Sequence, residues 1–381
     1  MKKREEFLSY GKQSIDEDDI AAVVETLRSP FLTQGPKVEE FEKSIAEYVG
    51  AKYAVAFSNG TAALHGACYA AGIGSDDEVI TTPITFAATS NAVLYCGGIP
   101  VFADIDPNTY NIDPNEIKKK ITSRTKAIIP VDFTGQPVDL DEIISVAKEH
   151  NLVVIEDGAH SLGATYKQQQ IGSQADMTMF SFHPVKPITT GEGGIITTNS
   201  KEYYEKLKLF RSHGIQKKPY SQEQGDWYYE MTDLGFNYRM NDIQAALGLS
   251  QLNKLDGFIN RRRAIVALYN EKLANVAGVI LPKQLADTES GWHLYMIQLD
   301  DRVLKKSRKE IFDEMRTLNI GVHVHYIPVY LHPYYRELGY KKGICPVAEE
   351  WYERALTLPI FPEMTEKDIE DVVQSIKFVI G

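Results

Sequence analysis

The first half of the chain alternates short apolar runs with segments of helical pattern. Helical segments such as Ala87–Cys96 and DLDEIISVAKEHN lie between several of the runs. Seven of the runs predict β-strands: YAVAF (Tyr53–Phe57), EVITT (Glu78–Thr82), PVFADI, KAIIPVDF, LVVIED (Leu152–Asp157), TMFSF (Thr178–Phe182) and GGIITTN (Gly193–Asn199). Strands that alternate with helices form a mostly parallel sheet covered on both faces, and such sheets bind ligands beyond the carboxyl ends of their strands. The sequence therefore predicts an α/β fold with a ligand site at that edge.

The pattern changes after about residue 250. LDGFINRRRAIVALYNEKLANV, SRKEIFDEMRTLNI and TEKDIEDVVQSIKFVI predict helices, and WHLYMIQLD and GVHVHY predict strands. With 381 residues, the chain is long enough for two domains. We expect an N-terminal arm and a large domain over residues 1–250, and a smaller C-terminal α+β domain over residues 251–381.

Charge and cysteine content restrict the partners and the cellular compartment. The formal net charge is −11, which argues against a nucleic-acid-binding protein because such proteins carry a basic surface. The cysteines Cys68, Cys96 and Cys345 form no CxxC pair, which favours a reducing compartment. MKKREEFLSYGKQ lacks the apolar core of a secretory signal, and no run approaches the roughly 18 apolar residues of a membrane span. We expect a cytoplasmic protein without a membrane segment.

Lys186 lies in SFHPVKPITTGEGG, between two prolines and before a glycine cluster. An isolated lysine is usually solvated, but this one follows the apolar run MTMFSF and is expected near the end of a buried strand. Pro184 and Pro187 restrict its backbone, and the glycines permit close approach to a ligand. A lysine held in a partly desolvated site has a lowered pKa and can act as a Schiff-base nucleophile.

Two other strand ends carry polar residues that suit a phosphorylated, cationic ligand. Asp157 ends LVVIED, and it is either a turn-capping aspartate or a buried carboxylate that faces a cation. Pyridoxal phosphate is such a ligand, because it needs a lysine and an acidic partner for its ring nitrogen. SNGTAAL, residues 58–64, is either an ordinary helix cap at Asn59 or Thr61, or a phosphate site formed by the first free N–H groups of the helix.

Several long blocks of the chain, which include these residues, resemble the DegT/DnrJ/EryC1/StrS family of sugar aminotransferases. The blocks are FLTQGPKVEEFE, SNGTAAL, DEVITTPITFAATSNAV, PVFADID, IEDGAHSLGATY, SFHPVKPITTGEGG, GFNYRMNDIQAALGLSQL and VHYIPVY. They cover essentially the whole chain. The resemblance implies fold type I of the pyridoxal phosphate enzymes, the aspartate aminotransferase-like fold, with a mostly parallel, seven-stranded sheet in the large domain.

The resemblance also implies a role for individual residues. By this resemblance, Lys186 is the catalytic lysine that bonds to pyridoxal phosphate, and Asp157 is the partner of the ring nitrogen. Phe86 is implied to stack on the ring, and His160 either lies near the ring's phenolic oxygen or is a structural histidine. The residues implied to hold the cofactor phosphate are Thr61, Ala62, Ser181 and, from the neighbouring subunit of a homodimer, Asn237.

Within the family, SFHPVKPITTGEGG, PFLT and HYIP are most similar to the aminotransferases of pseudaminic acid biosynthesis. This implies a UDP-linked 4-ketosugar, UDP-2-acetamido-2,6-dideoxy-β-L-arabino-hexos-4-ulose, that is aminated at C4 with L-glutamate as the amino donor. The active sites of the implied homodimer are shared between its chains. The residues implied in substrate binding are Tyr10, Pro30, Phe31, Leu32, Thr33, Asn59, Ser181, Asn237, His325, Tyr326, Ile327 and Pro328.

The sequence leaves three alternative activities open and predicts no metal site. RSHGIQKKPYSQEQGDWYYEM also resembles the spore-coat polysaccharide aminotransferases, so another nucleotide 4-ketosugar is an alternative substrate. A pyridoxal phosphate-dependent sugar dehydratase is a further alternative, although those relatives carry histidine in place of Lys186. A cofactor-binding regulatory protein is the third. His323, His325 and His332 have no carboxylate or cysteine at metal-ligand spacing.

Overall fold

A computed structural model of the protein describes residues 3–217 and 220–381. The helices are α1 (Glu17–Arg28), α2 (Pro36–Val49), α3 (Gly60–Ala70), α4 (Ala88–Tyr95), α5 (Pro114–Lys120), α6 (Leu140–His150), α7 (Lys201–Arg211), α8 (Tyr220–Gln224), α9 (Asp242–Leu252), α10 (Leu255–Leu273), α11 (Arg308–Thr317), α12 (Pro333–Glu337), α13 (Pro346–Arg354) and α14 (Glu366–Ile380). The strands are β1 (Tyr53–Phe57), β2 (Glu78–Thr81), β3 (Ile99–Phe102), β4 (Thr125–Ile129), β5 (Val153–Asp157), β6 (Thr165–Tyr166), β7 (Gln169–Gln170), β8 (Met177–Ser181), β9 (Gly194–Thr198), β10 (Ile215–Gln216), β11 (Glu230–Met231), β12 (Val279–Ile280), β13 (Thr288–Glu289), β14 (Tyr295–Leu299) and β15 (Ala355–Leu358). Within these residues, no helix has the length and apolar content needed to cross a membrane.

A seven-stranded sheet lies at the centre of the larger part of the chain, in the order β1-β9-β8-β5-β4-β2-β3. β3, β2, β4, β5 and β8 pair in parallel, whereas β9 is antiparallel to both of its neighbours, β8 and β1. The predicted strands and the mostly parallel arrangement are confirmed. PVFADI and KAIIPVDF extend past the ends of β3 and β4, because the chain leaves the sheet at those points.

The parallel strands bring polar residues to one edge of this sheet. β5 ends at Asp157 and β8 ends at Ser181, while β1 leads through a short turn at Asn59 into α3. β9 begins at the same edge with Gly194. A Cβ atom on Gly194 would lie 2.7 Å from backbone atoms of Asn59 and Gly60. This glycine therefore allows the β1–α3 turn to pack directly against β9.

The C-terminal part contains a separate antiparallel sheet, β12-β14-β15. The predicted helices α10, α11 and α14 are confirmed, and WHLYMIQLD contains β14 as predicted. The predicted strand GVHVHY is wrong, because among the described residues this segment pairs with β15 at a single position, His323 opposite Thr357. The chain then crosses to the large sheet, where the Val329 N–H group donates to the Pro83 carbonyl at 2.9 Å.

One long helix, α10, contributes to the cores of both parts. Leu255 and Ile259 lie in the core under the large sheet, and Ile265 and Tyr269 lie in the C-terminal core. Leu8 of the N-terminal arm is also buried in the C-terminal core. The division into residues 1–250 and 251–381 stays a prediction.

Residues of the C-terminal part hold the N-terminal arm in place. Arg4 forms an ion pair with Asp368 of α14 at 2.7 Å. The Leu8 N–H group donates to a backbone carbonyl beside α11, and the Ile360 N–H group donates to the Tyr10 carbonyl at 2.9 Å. These bonds fix Tyr10 at the boundary between the two parts of the structure.

Gly194→Ala is expected to destabilise the protein, because the added methyl group has no room against backbone atoms. Overpacking of this kind typically lowers the free energy of unfolding by roughly 1–3 kcal/mol. Gly257→Ala is the matched control, since no atom lies within 4 Å of its Cβ position and alanine is the better helix former by roughly 1 kcal/mol. Denaturant unfolding measures both variants, and equal stability of the two would contradict the packing argument.

Candidate active site

A cavity of about 870 Å³ opens at the carboxyl edge of the large sheet. Its lining comes from the N-terminal arm, the ends of the strands and the C-terminal part. The predicted site residues that line it are Tyr10, Asn59, Thr61, Ala62, Phe86, Asp157, His160, Ser181, Lys186, His325 and Tyr326. The structure therefore brings most of the predicted site residues together.

The N-terminus of α3 forms one wall of the cavity. The Asn59 side-chain oxygen caps the helix by accepting a hydrogen bond from the Ala62 N–H group at 2.8 Å. The first N–H groups of a helix have no partner within the helix and attract anions. Ser181 lies against Gly60, because a Cβ atom added at Gly60 would lie 3.2 Å from the Ser181 Cβ. These groups would suit a phosphate, and the phosphate-binding role of Thr61, Ala62 and Ser181 stays a prediction.

Lys186 is half-buried in the loop that follows β8. Its backbone N–H group donates to the His183 carbonyl at 2.9 Å, which fixes the turn that carries the side chain. Among the described residues, no partner forms a hydrogen bond or an ion pair with its amine. Burial lowers the pKa of this amine to about 8, although the negative charge of Asp157 acts in the opposite direction. A lysine with this pKa is partly unprotonated near neutral pH, and its unprotonated fraction is nucleophilic.

Asp157 is 3% exposed at the end of β5. The Thr89 hydroxyl donates to its Oδ2 at 2.7 Å, and the Ala159 N–H group donates to its Oδ1 at 3.1 Å. Burial raises the pKa of this carboxyl, while these two hydrogen bonds and the charge of Lys186 lower it. Because no described cation forms an ion pair with it, Asp157 is a buried carboxylate that suits a cationic ligand.

Three aromatic rings complete this side of the cavity. Phe86 is 63% exposed although it lines the cavity, and its ring centroid is 6.2 Å from that of Tyr326. The buried His160 ring lies nearly parallel to that of Tyr326, at 6.4 Å between centroids. An uncovered aromatic face of this kind suits a flat ligand ring.

These residues fit pyridoxal phosphate. The start of α3 and Ser181 would hold the phosphate, and the unpaired buried carboxylate of Asp157 would balance the charged ring nitrogen. Lys186 would reach the reactive carbon, and Phe86 would cover one face of the ring. The chemistry of the residues present therefore matches each part of the cofactor.

Some predicted residues lie outside this cavity in the single chain: Pro30, Phe31, Leu32, Thr33, Asn237, Ile327 and Pro328. Pro328 is buried, and the other residues of this group are exposed. The Asn237 backbone pairs with Ser212. The roles implied for all of these residues stay predictions.

Several lining residues were missed by the sequence reasoning: Thr89, Tyr95, Glu192, Tyr238 and His293. Thr89 could have been predicted as a site residue, because it follows Thr85 by four positions in the segment after a strand. The two hydroxyls are 2.8 Å apart, and that of Thr89 reaches Asp157. His293 carried no signal, because it lies within the apolar segment WHLYMIQLD and reaches the cavity only through tertiary packing.

The histidines near the end of the cavity form an aromatic wall. His323 and His325 stack at 4.4 Å between ring centroids, and both contact the ring of Tyr10. His325 Nδ1 is 2.9 Å from the Thr357 hydroxyl. Residues 3–217 and 220–381 contain no group of three or more histidine, cysteine or acidic side chains placed to hold a metal ion.

Comparison with known proteins gives concordant results over the whole chain. The sequence profile of the DegT/DnrJ/EryC1/StrS aminotransferase family matches residues 13–377. The chain is 44% identical to the spore coat polysaccharide biosynthesis protein SpsC of Bacillus subtilis, over 100% of this chain and 99% of that protein. It is 40% identical to the UDP-4-amino-4,6-dideoxy-N-acetyl-β-L-altrosamine transaminase of Campylobacter jejuni, over 96% of this chain and 95% of that protein.

Solved structures show the same relationship. Helicobacter pylori PseC, an aminotransferase involved in the biosynthesis of pseudaminic acid, is 34% identical with a TM-score of 0.93, over 98% of this chain and 99% of that chain. The PLP form of the putative sugar aminotransferase Spr1654 from Streptococcus pneumoniae is 31% identical with a TM-score of 0.91, over 98% of each chain. The predicted fold type I and the cofactor, pyridoxal phosphate, are confirmed.

In the cofactor-free protein, the Lys186 amine is expected to react half-maximally with an amine reagent near pH 8, because burial lowers its pKa to about 8. Solvated lysines have a pKa of about 10.4 and react at higher pH. In the loaded protein, borohydride is expected to fix the cofactor to the peptide that contains Lys186, as read by mass spectrometry. Lys186→Arg keeps the charge but is expected to lose this product, and labelling of another lysine would overturn the assignment.

Proposed function

The chain belongs to the DegT/DnrJ/EryC1/StrS aminotransferase family and is a sugar aminotransferase, and we propose that it moves the amino group of L-glutamate to C4 of a UDP-linked 4-keto-6-deoxy-N-acetylhexosamine. The proposed acceptor is UDP-2-acetamido-2,6-dideoxy-β-L-arabino-hexos-4-ulose, in pseudaminic acid-type sugar biosynthesis. The observation that carries the reaction type is the placement of Lys186 and Asp157 in one cavity with the N-terminus of α3.

Bound pyridoxal phosphate supplies a carbon that takes up the amino group and a ring that accepts an electron pair. With the cofactor bound, the unprotonated Nζ of Lys186 would take the α-proton of the donor as a general base and then give it up as a general acid. Its lowered pKa suits both steps near neutral pH. Asp157 would keep the ring nitrogen protonated, and the Thr89 hydroxyl and the Ala159 N–H group fix its carboxylate. The same residues act in reverse order when the amino group passes to the ketosugar.

The identity of the sugar is supported by the transaminase and PseC relatives. An aminotransferase for another nucleotide 4-ketosugar, used in a spore-coat or surface polysaccharide, is the second candidate, and the Bacillus subtilis relative favours it. A sugar dehydratase of this fold has less support, because Lys186 stands where those relatives carry histidine. A cofactor-binding regulatory protein would not need the nucleotide-sugar blocks.

The purified enzyme is expected to convert L-glutamate to 2-oxoglutarate when it is given the proposed UDP-4-ketosugar, and NMR of the product should show a new amino group at C4. The test is a panel of nucleotide 4-ketosugars that differ in stereochemistry and nucleotide, with Lys186→Ala as the inactive control. A clearly higher kcat/KM with another member of the panel would favour the second candidate. Loss of a sugar hydroxyl without amino transfer would favour the dehydratase.

We also propose a homodimer whose active sites are shared between its chains. Apolar side chains are exposed on the segment before Asn237, where Trp227 is 79% exposed and Leu234 is 72% exposed. Exposed apolar clusters of this kind mark interaction surfaces. In such a dimer, Asn237 would reach the phosphate of the cofactor bound to the other chain.

Complementation tests this arrangement. Mixing a Lys186→Ala chain with an Asn237→Ala chain, under conditions that allow subunit exchange, is expected to restore activity. Some mixed dimers then contain one site with both defects and one site with neither. If each chain builds its own site, every site keeps one defect and the mixture stays inactive. A monomer in sedimentation at working concentration would also contradict the proposal.

The cytoplasmic location suggested by the cysteines and the N-terminal residues stays a prediction. Immunodetection in fractionated cells is the direct measurement.

A further inference from the structure

His293 lines the active-site cavity, but the steps described above give it no role. It is 4% exposed and lies just before β14. Its ring packs against that of His160, with 4.5 Å between centroids. His293 comes from the C-terminal part of the chain, whereas His160 follows β5, so the two parts of the structure meet at this contact.

The two nitrogens of the His293 ring have different surroundings. Nδ1 is sealed from solvent and has no hydrogen-bond partner, and the same is true of Nδ1 in His160. Among the described residues, neither ring forms a hydrogen bond through Nε2 either. Nε2 of each ring is not sealed from solvent, and both residues line the cavity, so Nε2 is the nitrogen of each ring that a ligand could reach.

The surroundings of the His293 ring favour its uncharged form, in which only one nitrogen carries a proton. Burial lowers its pKa well below the usual value, and the nearby charge of Lys186 lowers it further. A neutral imidazole carries one N–H group and one lone pair. A proton on Nδ1 would be a buried donor without an acceptor, which is costly. We therefore expect the proton on Nε2, which makes this atom a hydrogen-bond donor that faces the cavity.

The backbone that carries His293 is held rigidly. The buried side chain of Arg262 donates to the carbonyl oxygens of Trp292 at 3.2 Å, His293 at 3.3 Å and Ile360 at 3.1 Å. Trp292 has a φ of +46°, a left-handed conformation that a bulky residue keeps only where its surroundings impose it. A Cβ atom on Gly135 would lie 2.7 Å from the His160 carbonyl oxygen and 2.8 Å from the Trp292 nitrogen, so the segments that carry the two histidines close around this glycine.

The amino donor brings a group that needs such a hydrogen-bond donor. Its α-carboxylate is bonded to the carbon whose proton Lys186 removes, so the carboxylate must lie beside Lys186. Among the described residues with which a single chain lines the cavity there is no arginine, and Lys186 is the only lysine. His325 Nδ1 pairs with the Thr357 hydroxyl. The family resemblance implies that His160 either lies near the phenolic oxygen or is structural. Of the described, buried histidines that line the cavity, His293 is the one that has neither a hydrogen-bond partner nor a role implied by the resemblance.

We propose that the Nε2–H group of His293 binds the α-carboxylate of the amino donor during the first half of the reaction. This subsite rests on the proposed aminotransferase function, because it requires an amino acid as the donor. The backbone frame built by Arg262 and Gly135 positions the ring, and its contact with His160 keeps the two imidazoles in fixed relative orientation.

The test compares variants that move or remove the N–H group. In H293Q the side-chain amide can place an N–H group near the position of Nε2, in H293N it lies nearer to Nδ1, and in H293F there is none. The Kd of L-glutamate is obtained from stopped-flow changes in the visible absorbance of the bound cofactor, with no sugar present. Hydrogen bonds to charged groups imply that H293N and H293F raise this Kd roughly tenfold or more. H293Q is expected to stay within about threefold of the unchanged protein, because it keeps the donor.

A change in the ligand tests the same contact from the other side. L-isoglutamine carries an amide in place of the α-carboxylate, and L-glutamine carries an amide in place of the side-chain carboxylate. The unchanged protein is expected to prefer L-glutamate over L-isoglutamine, and H293F is expected to lose most of that preference. The preference over L-glutamine should not change. His150→Gln, an exposed histidine at the end of α6, is the control and should leave all of these ratios unchanged.

Readouts without turnover separate binding of the donor from a structural role. The Kd of pyridoxal phosphate for the cofactor-free variants and their thermal unfolding midpoints are expected to match those of the unchanged protein. The proposal is overturned if H293N and H293F bind L-glutamate normally, or if H293Q is as impaired as H293F. It is also overturned if cofactor affinity and stability fall together with donor affinity. If the unchanged protein shows no spectral response to L-glutamate or to any other amino acid, the proposed transfer from an amino-acid donor fails, and this subsite with it.

Discussion

The carboxylate of Asp157 and the amine of Lys186 share a poorly solvated edge of the large sheet, and the chemistry of the site depends on this pairing. Their positions follow from β5 and β8 being parallel neighbours. Burial disfavours the charged form of each group, so the pKa of Asp157 rises and that of Lys186 falls, while their mutual attraction acts against both shifts. A ligand that brings a cationic ring and an electrophilic carbon satisfies both groups at once. The fold thus holds two side chains in reactive states that water would not favour.

The histidines around this pair supply hydrogen bonding without charge. Burial keeps the pKa of His160, His293 and His325 well below the usual value, and the positive charge of Lys186 reinforces this. Protonated imidazoles beside Lys186 would lower its pKa further and would attract anions without selection. Uncharged rings instead offer directional N–H groups whose positions are set by packing.

Local sequence was sufficient to predict a site residue where a strand or helix pattern ended in a polar residue. Lys186 and Asp157 could be predicted because each follows a buried strand, and the order of strands then brings them together. The antiparallel direction of β9 could not be predicted, because an apolar run is compatible with parallel and with antiparallel pairing. GVHVHY has the alternation of a strand, but the path of the chain toward Pro83 allows only one paired position. His293 was missed because its position depends on a contact between the two parts of the chain, and Asn237 rests on the family resemblance alone.

The N-terminal arm depends on contacts with residues near the other end of the chain. Arg4 and its partner Asp368 are separated by 364 positions in the sequence, and Tyr10 is held through the backbone of Ile360. During translation, the first ten residues leave the ribosome long before the residues that hold them have been made. The large sheet and the turn between β1 and α3 are synthesised earlier, whereas the segment that contains Tyr10 gains its partners only when Ile360 and Asp368 have been made. The N-terminus of α3 is thus available to an anion before Tyr10 is fixed in the cavity wall.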